Sequence, residues 1–122
     1  MTARPGENIL LYCDCKQSVG VFVVWYRNSS HENTPSLVLN TQSFSASEKR
    51  FPHIKLLKNF TFDSYDLLIV HATNSDEGLY YCGTVETKVE KDINKNIWSK
   101  TIYQYSNITT MITLGKYYFL IK

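Results

Sequence analysis

Residues 74–84 read NSDEGLYYCGT, and this stretch decides the fold. Asp76, Gly78, Tyr80 and Cys82 stand two apart, which is the side-chain period of a β-strand. Tyr80 and Cys82 should therefore point to one face, and Tyr81 and Gly83 to the other. A cysteine on the buried face of a strand calls for a partner on a facing sheet. The upstream stretch GENILLYCDC, residues 6–15, offers two, Cys13 and Cys15.

The same period runs through the rest of the chain. In NILLYCDC, Ile9, Leu11 and Cys13 share a face. In VFVVWYR, Val23 and Trp25 share one face, Val24 and Tyr26 the other. PSLVLN opens at a proline that suits a strand start. HIKLLKN, YDLLIVHA, GLYYCGTVE and SNITTMITL complete the set. Seven or more short strands separated by turn residues predict an all-β sandwich or barrel. No segment sustains a helical period. One helical turn is expected near NSDEG, capped by Asn74 or Ser75. The segment from Glu86 to Tyr105 is polar and rich in Lys and Asn, and reads as a long hairpin or loop between the last two strands. Connections of that length are commonly functional or disordered.

Bulk composition sets the bounds. A chain of 122 residues suits one domain around one core. Lys and Arg total 13 against 11 Asp and Glu, a balance too even to argue for nucleic acid or an anionic membrane as partner. No stretch is apolar for long enough to cross a bilayer, and Met1 is followed by polar residues, without the pattern of a signal peptide. The chain thus reads as a fragment of a longer secreted or surface protein, with Met1 an added start and any membrane attachment in parts of the chain not given. Three cysteines leave one over if two pair.

The combination of Cys13, Trp25, Leu67, Ile69 and DEGLYYC resembles a variable-type immunoglobulin domain, from about Gly6 to Leu114. The resemblance implies a two-sheet V-type sandwich with Greek-key connections, taken over residues 1–115, with 116–122 a C-terminal extension or the start of a stalk. In that fold a buried Trp lies against an inter-sheet disulfide, and a Tyr two residues before the second Cys makes a corner hydrogen bond. Carried over, Cys13 and Cys82 form the bridge, Trp25 packs on it, Tyr80 is the corner tyrosine and Asp76 the turn acid. Cys15 competes for Cys82, but Cys13 continues the inward phase of Ile9 and Leu11 and stands at the better distance from Trp25. The bridge would stabilise the fold by about 4 kcal/mol in the chain-entropy account, and it requires an oxidising compartment. Three features depart from the family pattern. His53, with Arg50 three residues away, stands where an Arg usually pairs with the turn acid. YQYSNITTM lacks the Phe-Gly-x-Gly bulge of rearranging antigen receptors. Cys15 has no evident mate. The sequence is similar to V-type ectodomains of leukocyte receptors, such as fish novel immune-type receptors and paired activating and inhibitory receptors.

What that resemblance implies is recognition of a protein ligand, on the extracellular side of the plasma membrane or in secretion, with no cofactor and no catalysis. Tyr26, Tyr81 and Val85 mark one recognition face, because tyrosine joins large contact area to a polar tip. Ile93, Ile97 and Trp98 are apolar anchors in the long connection, unless Trp98 folds back on the sheet. Sequons at Asn28, Asn59 and Asn107 predict a glycoprotein, and a glycan on Asn28 would oppose flat pairing of two such faces, favouring a monomer. A dimer through a free or intermolecular thiol at Cys15, serving adhesion by self-association, is the alternative. His31, His53 and His71 do not have metal-ligand spacing, no oxyanion donors accompany Cys15 and His31, and Asp63 and Asp66 read as solvated turn carboxylates.

Overall fold

The computed structural model describes residues 1–29, 35–41 and 51–115. His31, Arg50 and the extension 116–122 lie outside the described residues. Among the described residues eight strands follow in order: β1 (Thr2–Ala3), β2 (Ile9–Leu11), β3 (Val21–Asn28), β4 (Pro35–Asn40), β5 (Ile54–Asn59), β6 (Ser64–Ile69), β7 (Gly78–Lys91) and β8 (Ile97–Leu114). They form a five-stranded sheet in the order β1-β8-β7-β3-β4 and a three-stranded sheet in the order β2-β6-β5. All pairings are antiparallel except that of β1 with the end of β8. This is the V-type sandwich that the sequence predicts. The short β1 went unread, since two residues show no period.

Alternation builds the core. Ile9, Leu11 and Cys13 from one edge, Val23 and Trp25, Leu37 and Leu39, Ile54 and Leu56, Leu67 and Ile69, Tyr80 and Cys82, and Ile112 and Leu114 all turn inward and are buried together. Cys13 and Cys82 are bonded, with Cα atoms 5.9 Å apart. Trp25 stands opposite Cys82 in the β3–β7 register, and its Nε1–H donates to Tyr65 O across the sandwich at 2.8 Å. That bond satisfies the one polar atom of a buried indole. At the other end of β7 the corner closes: Tyr80 OH donates to Asp76 O at 2.6 Å.

The turn before β7 is a single 3-10 turn, Asn74–Asp76, and its N-cap is Thr73, not Asn74 or Ser75. The Thr73 N–H donates to Asp76 Oδ2 at 2.9 Å, so the acid reaches back to the cap and sets it one residue earlier than composition suggested. The other oxygen, Oδ1, is 2.7 Å from His53 Nε2. Histidine thus occupies the place of the expected Arg. Gly78 follows at φ +152°, where a Cβ would stand 2.6 Å from Asn28 O. No other residue fits there.

Asp66 corrects the sequence reading. It lies inside β6 and is only 8% exposed, with Oδ2 accepting from Asn59 Nδ2 at 3.3 Å. Asp63 does sit in the exposed turn, at positive φ.

Candidate functional site

The connection from Glu86 to Tyr105 is a hairpin. β3 supports β7 only as far as Val21 opposite Glu86. Beyond that point β7 and β8 pair with each other alone, from Thr87 opposite Thr101 to Lys91 opposite Ile97. A two-stranded ribbon therefore projects from the end of the five-stranded sheet by roughly 17 Å, at about 3.3 Å per residue. Its tip is folded by Asp92. Oδ1 accepts from Asn94 N at 2.9 Å and Asn96 N at 2.8 Å, while Oδ2 accepts from Asn96 Nδ2 at 3.2 Å. Lys95 takes the left-handed conformation there, with φ 63°.

Register sorts the ribbon into two unlike faces. Val85, Thr87 and Val89 on β7 lie opposite Tyr103, Thr101 and Ser99 on β8, with Ile97 and Lys91 beyond. Odd-numbered residues continue the outer face of the sheet, because Gly83 pairs with Tyr105 and the Tyr105 ring lies against Tyr26 and Tyr81. Even-numbered residues, Glu86, Lys88, Glu90, Lys100 and Trp98, fall on the reverse. One face is thus free of charge from Tyr81 as far as the Val89–Ser99 pair, with Lys91 beside Ile97 at its far end, and the other alternates acid and base.

At the foot of the ribbon three tyrosines form a cluster. Tyr26 and Tyr81 stack with centroids 5.1 Å apart and planes at 18°. Tyr105 tilts against Tyr26 at 5.5 Å and meets Tyr81 edge-on at 6.1 Å. Each such pair contributes about 0.5–1.5 kcal/mol beyond area burial. Burial pushes the Tyr26 hydroxyl up to about 12, reinforced by the neighbouring Tyr105, Tyr81 and Tyr103. Tyr81 is raised by burial too, against a hydrogen bond to Asn28 that lowers it. The Tyr81 OH donates to Asn28 Oδ1 at 3.0 Å, which leaves the Asn28 Nδ2 as the atom a glycan would take.

The predicted contact residues therefore separate. Tyr26 is 6% exposed and lies beneath the rings of Tyr81 and Tyr105. Tyr81, Val85 and Ile97 share the uncharged face. Ile93 is fully exposed at the tip. Trp98 does not fold back on the sandwich; it stays 46% exposed on the charged reverse of the ribbon. Tyr103 and Tyr105, both more than half exposed on the same face, are candidates that the sequence reading did not name. Their signal was the alternation Ile97, Ser99, Thr101, Tyr103, Tyr105, hidden because the segment was read as a possible loop.

Gly83 fixes how the ribbon leaves the sheet. A Cβ there would stand 2.3 Å from Gln104 O, so β8 closes on β7 only because the side chain is absent. Just beyond, the ladder shifts register between Tyr81 and Gly83. The extra β8 residues centre on Ser106, Asn107 and Ile108, with Ser106 Oγ accepting from Ile108 N at 3.0 Å. The last strand thus carries a bulge without the glycines of the rearranging receptors. Asn107 is exposed at this bulge. Asn59 is held differently: its Oδ1 accepts from Thr61 N and Phe62 N, and its Nδ2 reaches Asp66.

Cys13, Asp14, Cys15 and Cys82 bring four ligand atoms within 4.8 Å of one another. Two of the sulfurs are joined, so only one thiol and one carboxylate are left to hold an ion, too few for a closed site. His53 is bound to Asp76, and the His71 ring lies 3.3 Å from Gly6 O.

A V-set immunoglobulin domain model matches residues 1–112. The chain belongs to the immunoglobulin V-set family. A search of curated proteins returned no match. V-set domains are typically non-enzymatic binding modules of extracellular or cell-surface proteins, a setting in which the Cys13–Cys82 bridge persists. Among the described residues no helix is long and apolar enough to cross a membrane.

Proposed function

We propose that this V-set domain is the ligand-recognition ectodomain of an immune cell-surface receptor, and that it engages a protein ligand through the outer face of its five-stranded sheet and the ribbon that prolongs it. The observation that carries this reading is the continuity of one uncharged face. Tyr81, Tyr105, Tyr103, Val85, Val89 and Ile97 succeed one another from the sandwich onto the ribbon, while the reverse of the same ribbon is charged. A ribbon serving only as a solvated connection has no reason to divide its residues so. Depletion of charge with enrichment in tyrosine is the composition of an interface core. The disulfide and the Tyr81–Tyr26–Tyr105 stack hold the foot of the surface rigid, which lowers the entropy lost on binding. The binding role involves no bond making or breaking. Self-association through Cys15 draws less support, because its side chain packs against the core and is only partly exposed.

The test is capture on an array of purified cell-surface ectodomains, probed with the biotinylated domain as a tetramer. Tyr103→Glu and Val89→Glu should abolish a specific capture. Leu57→Lys, on the other sheet, should leave it unchanged. Capture that survives both ribbon substitutions and fails with Leu57→Lys would place recognition on the opposite sheet and refute the reading.

A further inference from the structure

Cys15 is the free thiol among the described residues, and its position is not that of an isolated surface cysteine. Its sulfur lies within 4.8 Å of both sulfurs of the Cys13–Cys82 bridge. It is partly buried and packs against the core cluster. A second feature points the same way. The Cys15 N–H donates to Cys13 Sγ at 3.4 Å, so a main-chain donor is already aimed at one sulfur of the bond.

We propose that Cys15 is the nucleophile of an internal thiol–disulfide exchange site, which moves the inter-sheet bridge from Cys13–Cys82 to Cys15–Cys82. The Cys15 thiolate attacks Cys82 Sγ and forms the new sulfur–sulfur bond. The Cys13–Cys82 bond breaks, and its electron pair leaves on Cys13 Sγ, where the Cys15 N–H receives the developing charge. The proton lost from Cys15 is replaced by one gained at Cys13. One thiol and one disulfide stand on each side, so no oxidant or reductant is consumed.

Two physical points favour the exchange and a third slows it. The bridgehead moves by two residues in a sequence separation of 69, and loop entropy varies only as the logarithm of loop length, so chain entropy does not choose between the two bridges. Both Cys13 and Cys15 address Cys82, since the three sulfurs lie within 4.8 Å of one another. The brake is electrostatic and steric: burial first, and then the Asp14 carboxylate 3.9 Å from the thiol, raise the Cys15 thiol above its ordinary range. The attacking thiolate is therefore scarce at neutral pH and the exchange is slow. Asp14 also accepts a hydrogen bond from Ser106 in the β8 bulge. The exchanging segment is thus tied to the strand that carries the ribbon, and a shift of the bridge acts on the foot of the recognition surface.

The experiment uses the whole oxidised chain held at mildly alkaline pH under native conditions. Aliquots are trapped with N-ethylmaleimide after acid quench, digested, and mapped by tandem mass spectrometry. At time zero the label should sit on Cys15. With incubation a fraction should carry it on Cys13, together with a Cys15–Cys82 cross-linked peptide, at a rate independent of protein concentration. Cys15→Ser should show neither species. Cys13→Ser should fold cooperatively with a Cys15–Cys82 bridge. A label that stays on Cys15 at all times, a Cys13→Ser protein that leaves both remaining thiols reduced, or a new bridge whose rate rises with protein concentration would each overturn the proposal. None of these results depends on whether a ligand binds the ribbon.

Discussion

Replacing Gly83 by alanine should damage this protein more than any other single methyl added to a described glycine with φ in the ordinary range. The added Cβ would stand 2.3 Å from Gln104 O and 3.3 Å from Tyr105 Cα, whereas such contacts essentially never fall below 3.0 Å. Strand β8 must retreat by about 0.7 Å to bring the 2.3 Å contact up to 3.0 Å. The obstructing atom is a main-chain carbonyl in a paired strand, which cannot rotate aside as a long side chain would. Overpacking of this kind costs about 1–3 kcal/mol. At roughly 4 °C per kcal/mol for a chain of this size, the melting temperature should fall by about 4–12 °C. Retreat of β8 should also lift Tyr105 from Tyr26 and Tyr81, weakening the near-ultraviolet circular dichroism of the native state. Differential scanning calorimetry gives the first quantity, and Gly115→Ala is the control. Gly115 has no positive φ and its nearest neighbour to a new Cβ is 3.5 Å away, so that variant should melt within a degree or two of wild type, roughly the spread of neutral surface changes. If Gly83→Ala and Gly115→Ala melted together, β7 and β8 would not approach as described, and the geometry of the ribbon's foot would be wrong.

Other outcomes follow from the same contacts. Tyr80→Phe removes a buried donor and leaves Asp76 O unpartnered, at a cost of about 1–3 kcal/mol in urea unfolding with an unchanged m value. Trp98→Ala should change stability by less than about 0.5 kcal/mol, because half-exposed residues on a projecting ribbon support little; a larger loss would mean that the indole is packed. In alkaline titration followed at 295 nm, one phenol should ionise only near 12, and Tyr26→Phe should remove it. The sign is fixed by linkage. Folded Tyr26 keeps its proton after an unfolded tyrosine, at about 10, has lost it, so stability is unaffected below that point and falls as pH rises from about 10 through 12.

Much of this was legible in the sequence because a strand period of two is a strong signal wherever one face is buried. Alternation grouped Ile9, Leu11 and Cys13, Val23 and Trp25, and Tyr80 and Cys82 by face, the resemblance turned the Trp25 face inward, and all are buried. The bridge came from resemblance, and within it Cys13 was preferred to Cys15 because it continues the inward phase of Ile9 and Leu11 and stands at the distance from Trp25 that the family has. What failed to show were effects that depend on a third body. Tyr26 alternates outward and yet is covered, because Tyr81 and Tyr105 close over it. Asp66 looks like a turn carboxylate until Asn59 folds back on it. The helical turn begins at Thr73 because Asp76 reaches back three residues. The division of the ribbon was written in residues 85–90 and 97–105 all along, but a face has meaning only once the register of the two strands is known.

The central claim, that recognition uses the uncharged side of the sheet and ribbon, is tested most directly with a glycan as a wedge. Ser99→Asn completes a sequon with Thr101 in the middle of that side, opposite Val89. Expressed in a glycosylating host, with occupancy confirmed by intact mass, the variant should melt as wild type does and lose capture of the array partner; the double variant Ser99→Asn, Thr101→Val, which lacks the sequon, should retain capture. A fully glycosylated variant that still captures the partner with unchanged affinity would contradict the claim.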